Sequence, residues 1–159
     1  MLVIRDDTER NRTVDRLLAL RKQLDRDIPA KTATETLLLA TWNIREFGDN
    51  RNTESLHYMA EIISRFDLVA VQEVASNIEG LKKLVALLGQ NWDYIVTDSM
   101  EGPAGGGERM AFIYDKCKVF FRKIAGELVL PMSRILKGYD GDDKLQFART
   151  PFSVAFQAG

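Results

Sequence analysis

Leu37-Leu38-Leu39-Ala40-Thr41-Trp42-Asn43-Ile44-Arg45-Glu46-Phe47-Gly48 decides how the rest of the chain reads. It opens as an unbroken apolar run, the pattern of a strand buried on both faces. It ends in a polar segment carrying Asn43, Arg45 and Glu46, closed by Gly48 and Asp49-Asn50. Open α/β sheets place ligands at such carboxyl ends of strands. A core strand running into a solvated loop has the same appearance. The next apolar run, Asp67-Leu68-Val69-Ala70-Val71-Gln72-Glu73-Val74, repeats the device and again ends in a carboxamide and a carboxylate.

Between the two runs, residues 53–66 read as a helix capped by Thr53 or Ser55, with Leu56, Met59, Ala60, Ile62, Ile63 and Phe66 on its buried face. This is the strand–helix–strand spacing of a crossover. His57, the sole histidine, reads as a surface or rim residue rather than a catalytic one, because no neighbouring motif frames it. A second helix over 78–88 carries Leu81, Leu84, Val85 and Leu88 on one stripe and stops at Gly89. Strands follow at 92–98, 109–114, 118–126 and 147–156. Gly105-Gly106-Gly107 is not followed by Gly-Lys-Ser/Thr, so a phosphate-cradling P-loop is excluded. Residues 127–146 read as loop. Their acidic centre, Asp140 with Asp142 and Asp143, lacks the alternating ligands and terminal glutamate of a calcium loop. Upstream, residues 5–28 form a charged amphipathic helix with Val14, Leu17, Leu18, Leu24 and Ile28 at helical spacing, docked on the domain's flank or held out for a partner. The organisation is a helix and linker over 1–36 and a domain over 37–159.

The chain's 159 residues suffice for one domain with a real core. Its 22 basic and 23 acidic side chains produce no global field pointing to nucleic acid, although a local patch can still bind phosphate. Cys117 has no disulfide partner and reads as a passive thiol, and no Cys/His cluster suits zinc. With no secretory leader pattern and no run of the roughly 20 apolar residues that span a bilayer, the expected location is cytoplasmic, with no membrane partner.

Four polar positions stand at strand edges: Asn43, Gln72-Glu73, Glu108-Arg109 and Arg149. A carboxylate beside a carboxamide is hard-oxygen chemistry suited to Mg²⁺, and a nearby arginine suits a phosphate. The combination points to metal-assisted phosphoryl chemistry.

In chain order, Trp42-Asn43-Ile44, Gln72-Glu73-Val74, Glu108-Arg109 leading into Phe112-Ile113-Tyr114, and Phe147-x-Arg149-x-Pro151-Phe152 resemble the endonuclease/exonuclease/phosphatase superfamily with its deoxyribonuclease I-like fold. The resemblance covers about residues 37–157. It implies an α/β fold, the front half of a four-layer α/β sandwich, with a mixed, mainly antiparallel sheet and helices on one face. It implies a phosphodiester hydrolase, nuclease-like and acting on DNA, that uses Mg²⁺, with Mn²⁺ as the alternative ion. Glu73 would be the metal ligand, and Asn43 would help bind metal or orient the scissile phosphate. Glu108 would hold and polarise a catalytic histidine, and Arg149 would support the phosphate-binding floor. The family's histidine, Asp-x-Asn and Asp-His motifs do not follow Arg149. The expectation is therefore a chain inactive by itself, completed by a carboxyl-terminal half or associating through an uncovered sheet face. A non-catalytic binding module of the same fold, or a phosphatase or sphingomyelinase relative, is the alternative.

Overall fold

The computed structural model describes residues 3–98, 107–129, 147 and 150–159. Helix α1 (Asp7–Asp27) starts where the Asp6 side chain accepts from the Glu9 amide at 2.7 Å, and it ends at Ile28, just before Pro29. Strand β1 (Leu39–Phe47), helix α2 (Thr53–Ile63) and strand β2 (Leu68–Val74) form the expected strand–helix–strand unit, with β1 and β2 parallel. Helix α3 (Glu79–Leu88), β3 (Trp92–Val96), β4 (Arg109–Asp115), β5 (Val119–Glu127) and β6 (Phe152–Ala158) follow. The cap of α2 is Asn52, whose side chain accepts from the Ser55 amide at 2.8 Å; neither Thr53 nor Ser55 takes that role.

The main sheet runs in the order β1-β2-β4-β3, and β4 is antiparallel to both its neighbours. Alternation along the strands sorts side chains onto two faces. Ile44, Val69, Val71, Ala111 and Ile113 point to one face, where Leu56, Met59 and Ile63 of α2 and Leu81 and Leu84 of α3 complete a single core. Both helices thus lie on the same side of the sheet. On the other side, Phe112 and Tyr114 meet the β5–β6 ribbon. Ring centroids lie 5.6 Å apart for Phe112–Phe156, 5.8 Å for Phe112–Phe152 and 5.2 Å for Tyr114–Phe156. Helices, sheet and a second sheet therefore stack as successive layers.

Three further expectations need correction. β1 is not buried on both faces: it lies at the end of the strand order, and Leu39 is 60% exposed while Ala40, Trp42 and Ile44 pack on the helices. The run 147–156 is not one strand, since Phe147, Thr150 and Pro151 lie outside β6; without a ladder hydrogen bond from its nitrogen, proline marks the start of pairing. On α1 the protected side is Thr13, Leu17, Leu20 and Leu24, whereas Val14 and Leu18 are exposed. Much of the docking of α1 on α2 is ionic. Arg12 and Arg16 converge on Glu54 at 2.8 and 3.3 Å, and Arg21 meets Glu61 at 2.8 Å.

Candidate functional site

β2 pairs regularly with both neighbours up to Val71 and Gln72, and then both registers slip. Against β4, Val71 faces Ala111 and Val74 faces Arg109, so β2 carries one extra residue. Against β1, Asn43 faces Gln72 and the next pair is Phe47 with Val74. A β-bulge of this kind re-aims a side chain at the end of a ladder. Within it Glu73 has φ +58°, the left-handed region, and Glu46 on the facing stretch of β1 has φ +49°. For a residue with a Cβ that conformation costs about 1–2 kcal/mol, so surrounding contacts must hold it. The bulge sets Glu73 beside Asn43: the Asn43 amide Nδ2 donates to Glu73 Oε1 at 2.7 Å. One step back, Gln72 Nε2 donates to Thr41 Oγ1 at 2.9 Å on the exposed face of β1.

The loops behind this pair are packed backbone against backbone. The Ala75 amide donates to Phe47 O at 2.9 Å, and Asn77 Nδ2 donates to Asp49 Oδ2 at 2.9 Å, joining the segments that leave β1 and β2. Gly80, in the first turn of α3, lies so close to Gly48 that a Cβ on it would sit 2.0 Å from Gly48 O. Only glycine permits that approach.

Glu108 directly precedes Arg109, which faces Val74, so antiparallel pairing puts Glu108 at the same end of the sheet as Asn43 and Glu73. Arg149 lies outside the described residues, as does the acidic segment 140–143. His57 is half-buried in the helix layer, in a cleft of about 890 Å³ that it lines with Leu17, Arg21, Lys83 and Leu87. Arg109 was legible only as the neighbour of Glu108. Its side chain reaches the backbone oxygens of Ser76 and Thr97 at 3.3 and 2.7 Å, contacts with no side-chain signature in the sequence.

Among the described residues no group of three or more His, Cys, Asp or Glu side chains gathers as a metal cage. The donor set at the bulge is one carboxylate and one carboxamide. That set fits Mg²⁺, which keeps several waters and takes one or two protein carboxylates, and does not fit zinc. No helix among the described residues is long and apolar enough to cross a membrane.

No protein-family model matches the sequence. Curated relatives do. The chain is 33% identical to deoxyribonuclease-1 of Rattus norvegicus over 134 residues, covering 76% of this chain and 42% of the relative. It is 32% identical to that of Bos taurus over 136 residues, covering 77% and 43%, and 28% identical to that of Canis lupus familiaris over 135 residues, covering 77% and 42%. The matched region spans less than half the length of these relatives. In sequence the chain resembles deoxyribonuclease-1 over less than half of that protein, and its mixed sheet with helices is consistent with the amino-terminal half of a deoxyribonuclease I-like α/β fold.

Proposed function

We propose that the chain forms one side of a Mg²⁺-dependent phosphodiesterase site whose substrate is DNA. The observation that carries this reading is the Asn43–Glu73 hydrogen bond of 2.7 Å at a bulge where Glu73 has a left-handed backbone. A carboxylate carried on a left-handed backbone and fixed by a carboxamide, at the carboxyl end of two parallel strands, is the arrangement expected of a ligand site rather than of a packing contact. The relatives named deoxyribonuclease-1 support the nuclease class and the nucleic-acid substrate.

In this reading Glu73 is the carboxylate ligand, and Asn43 orients it and turns its amide toward the metal or the scissile phosphate. The bound ion would polarise the ester and steady the leaving oxygen. Glu108 would hold and polarise a histidine contributed from outside these 159 residues, and Arg149 would grip a phosphate oxygen pair. Mn²⁺, with the same preference for oxygen ligands, would substitute for Mg²⁺.

Calorimetric titration of the purified chain with Mg²⁺ tests the reading. Glu73→Gln keeps the shape and removes the charge, so it should weaken ion binding at least ten-fold. Equal binding by wild type and Glu73→Gln would overturn it.

A further inference from the structure

The side chain of Arg109 is 20% exposed, and its donors turn toward the backbone. Nη1 donates to Thr97 O at 2.7 Å and Nε donates to Ser76 O at 3.3 Å. Asp98 Oδ1 lies 3.3 Å from Nη1, but that carboxylate is 97% exposed, and a pair so open to solvent contributes little. The two carbonyls define what the guanidinium does. Ser76 follows Glu73 by three residues on the exit from β2, and Thr97 directly follows β3. Arg109 therefore bridges the exits of two strands across the start of its own. Its backbone faces Val74, the neighbour of Glu73, and its peptide neighbour is Glu108. Beside it the Thr97 amide donates to Met110 O at 2.9 Å, and the Met110 amide donates to Thr97 Oγ1 at 3.1 Å, so the foot of the bridge is fixed.

We propose that Arg109 is a positioning residue of the candidate site: its guanidinium ties the exit from the Glu73 bulge to β3 and so keeps Glu73 and Glu108 at one end of the sheet. The proposal rests on the reading of Glu73 as a metal ligand. A left-handed residue with a side chain persists only where its surroundings over-determine it, and the Ser76 carbonyl is the point at which Arg109 does so. The planar fork matters, because its fixed geometry spans acceptors on two segments from separate nitrogens, whereas a lysine ammonium is a single compact point charge without that fork.

The test measures Mn²⁺ affinity of the 159-residue chain by electron paramagnetic resonance of the free ion, beside a urea unfolding midpoint for each variant. Arg109→Gln should weaken Mn²⁺ binding about ten-fold in protein that is still folded, the usual consequence of losing a supporting contact behind a metal ligand. Arg109→Lys, which keeps the charge and the stem, should fall between Arg109→Gln and wild type. Glu73→Gln is the control. If both arginine variants bind Mn²⁺ like wild type while Glu73→Gln does not, Arg109 is structural and the proposal is overturned, with the metal reading intact. A lowered urea midpoint with unchanged affinity overturns it equally. If Glu73→Gln itself binds like wild type, the metal reading fails and the positioning role falls with it. Should Arg109→Gln not fold, Arg109→Lys decides: weakened binding supports the proposal, unchanged binding overturns it.

Discussion

Lys31 Nζ stands 3.0 Å from Asp67 Oδ1, at the amino end of β2 and thus at the opposite end of the strand from Glu73. Asp67 is fully buried. Its Oδ2 accepts from the Leu38 amide at 2.8 Å and lies 3.4 Å from Lys118 Nζ. Lys31 also donates to Phe66 O at 3.0 Å, reaches Asp115 Oδ2 at 3.2 Å and lies over the Trp92 ring at 5.3 Å. Lys118 in turn donates to Thr32 O at 2.7 Å and to Thr36 O. One buried carboxylate thereby fastens the linker after α1 to the beginnings of β1 and β2 and to the turn between β4 and β5.

Asp67→Ala should destabilise the chain by about 3–5 kcal/mol, because it leaves two ammonium groups and an amide at a site built around their acceptor. Urea unfolding of the variant checks this. An unchanged midpoint would mean that solvent replaces the carboxylate without cost.

The same group sets an acid limb. Burial alone would raise the Asp67 carboxyl, but the Leu38 amide, Lys31 and Lys118 outweigh it and hold it below its usual range. A depressed carboxylate contributes stability above its unfolded pKa, and that contribution is lost as pH falls through the folded value. Wild-type stability should therefore decline as pH drops below about 4, and Asp67→Asn should show a shallower decline. Parallel slopes in a pH series of urea midpoints would remove Asp67 as the cause.

Glu54 is the corresponding point on α2. The Tyr58 hydroxyl, then Arg12 and Arg16, hold its carboxyl below the usual range, against the opposing effect of burial. Glu54→Gln should loosen α1 while α2 remains formed, read as faster amide hydrogen exchange over Asp7–Asp27 and little change over Thr53–Ile63. Uniform acceleration across both helices would show that Glu54 supports α2 itself.

Gly80→Ala places a methyl group on the Gly48 carbonyl, a backbone atom that cannot rotate aside. The overpacking should cost on the order of 2–3 kcal/mol, more than the roughly 1 kcal/mol that alanine adds to helix propensity. A thermal melt decides it, and a variant as stable as wild type would show that α3 shifts freely on the loop.

Incubated alone with plasmid DNA and Mg²⁺, the 159-residue chain should produce no cleavage above background. A general base must lie within hydrogen-bond reach of the attacking water. The one histidine of the sequence is His57, which lines the cleft among the helices instead of the strand ends. Mg²⁺-dependent nicking that vanishes in Glu73→Gln would contradict this.

The layers of this fold were legible because apolar spacing repeats along each element. Val69 and Val71, or Leu81 and Leu84, announce their faces without help from distant residues. The exposure of Leu39 was not legible, since a triple-leucine run looks alike in a central or an outer strand, and strand order is a tertiary fact. The nearness of Asn43 and Glu73 followed from two adjacent strands ending in polar groups. The bulge that turns Glu73 did not, because it arises from register slips against two partners at once. Lys31, Asp67 and Lys118 escaped notice for a related reason: each sits in an unremarkable local context, and only chain closure over long separations brings them together.

The strand order also imposes a sequence of assembly. Parallel β1 and β2 cannot be joined by a tight turn, so the chain returns through the α2 crossover before it enters β2. β4 then has to reach β2 past the intervening α3 and β3. Contacts of such long sequence separation pay their loop-closure entropy late and slow the overall rate. The bulge at Glu73 needs β1 on one side and β4 on the other, so the Asn43–Glu73 pair cannot take its final geometry until both long-range ladders are in place.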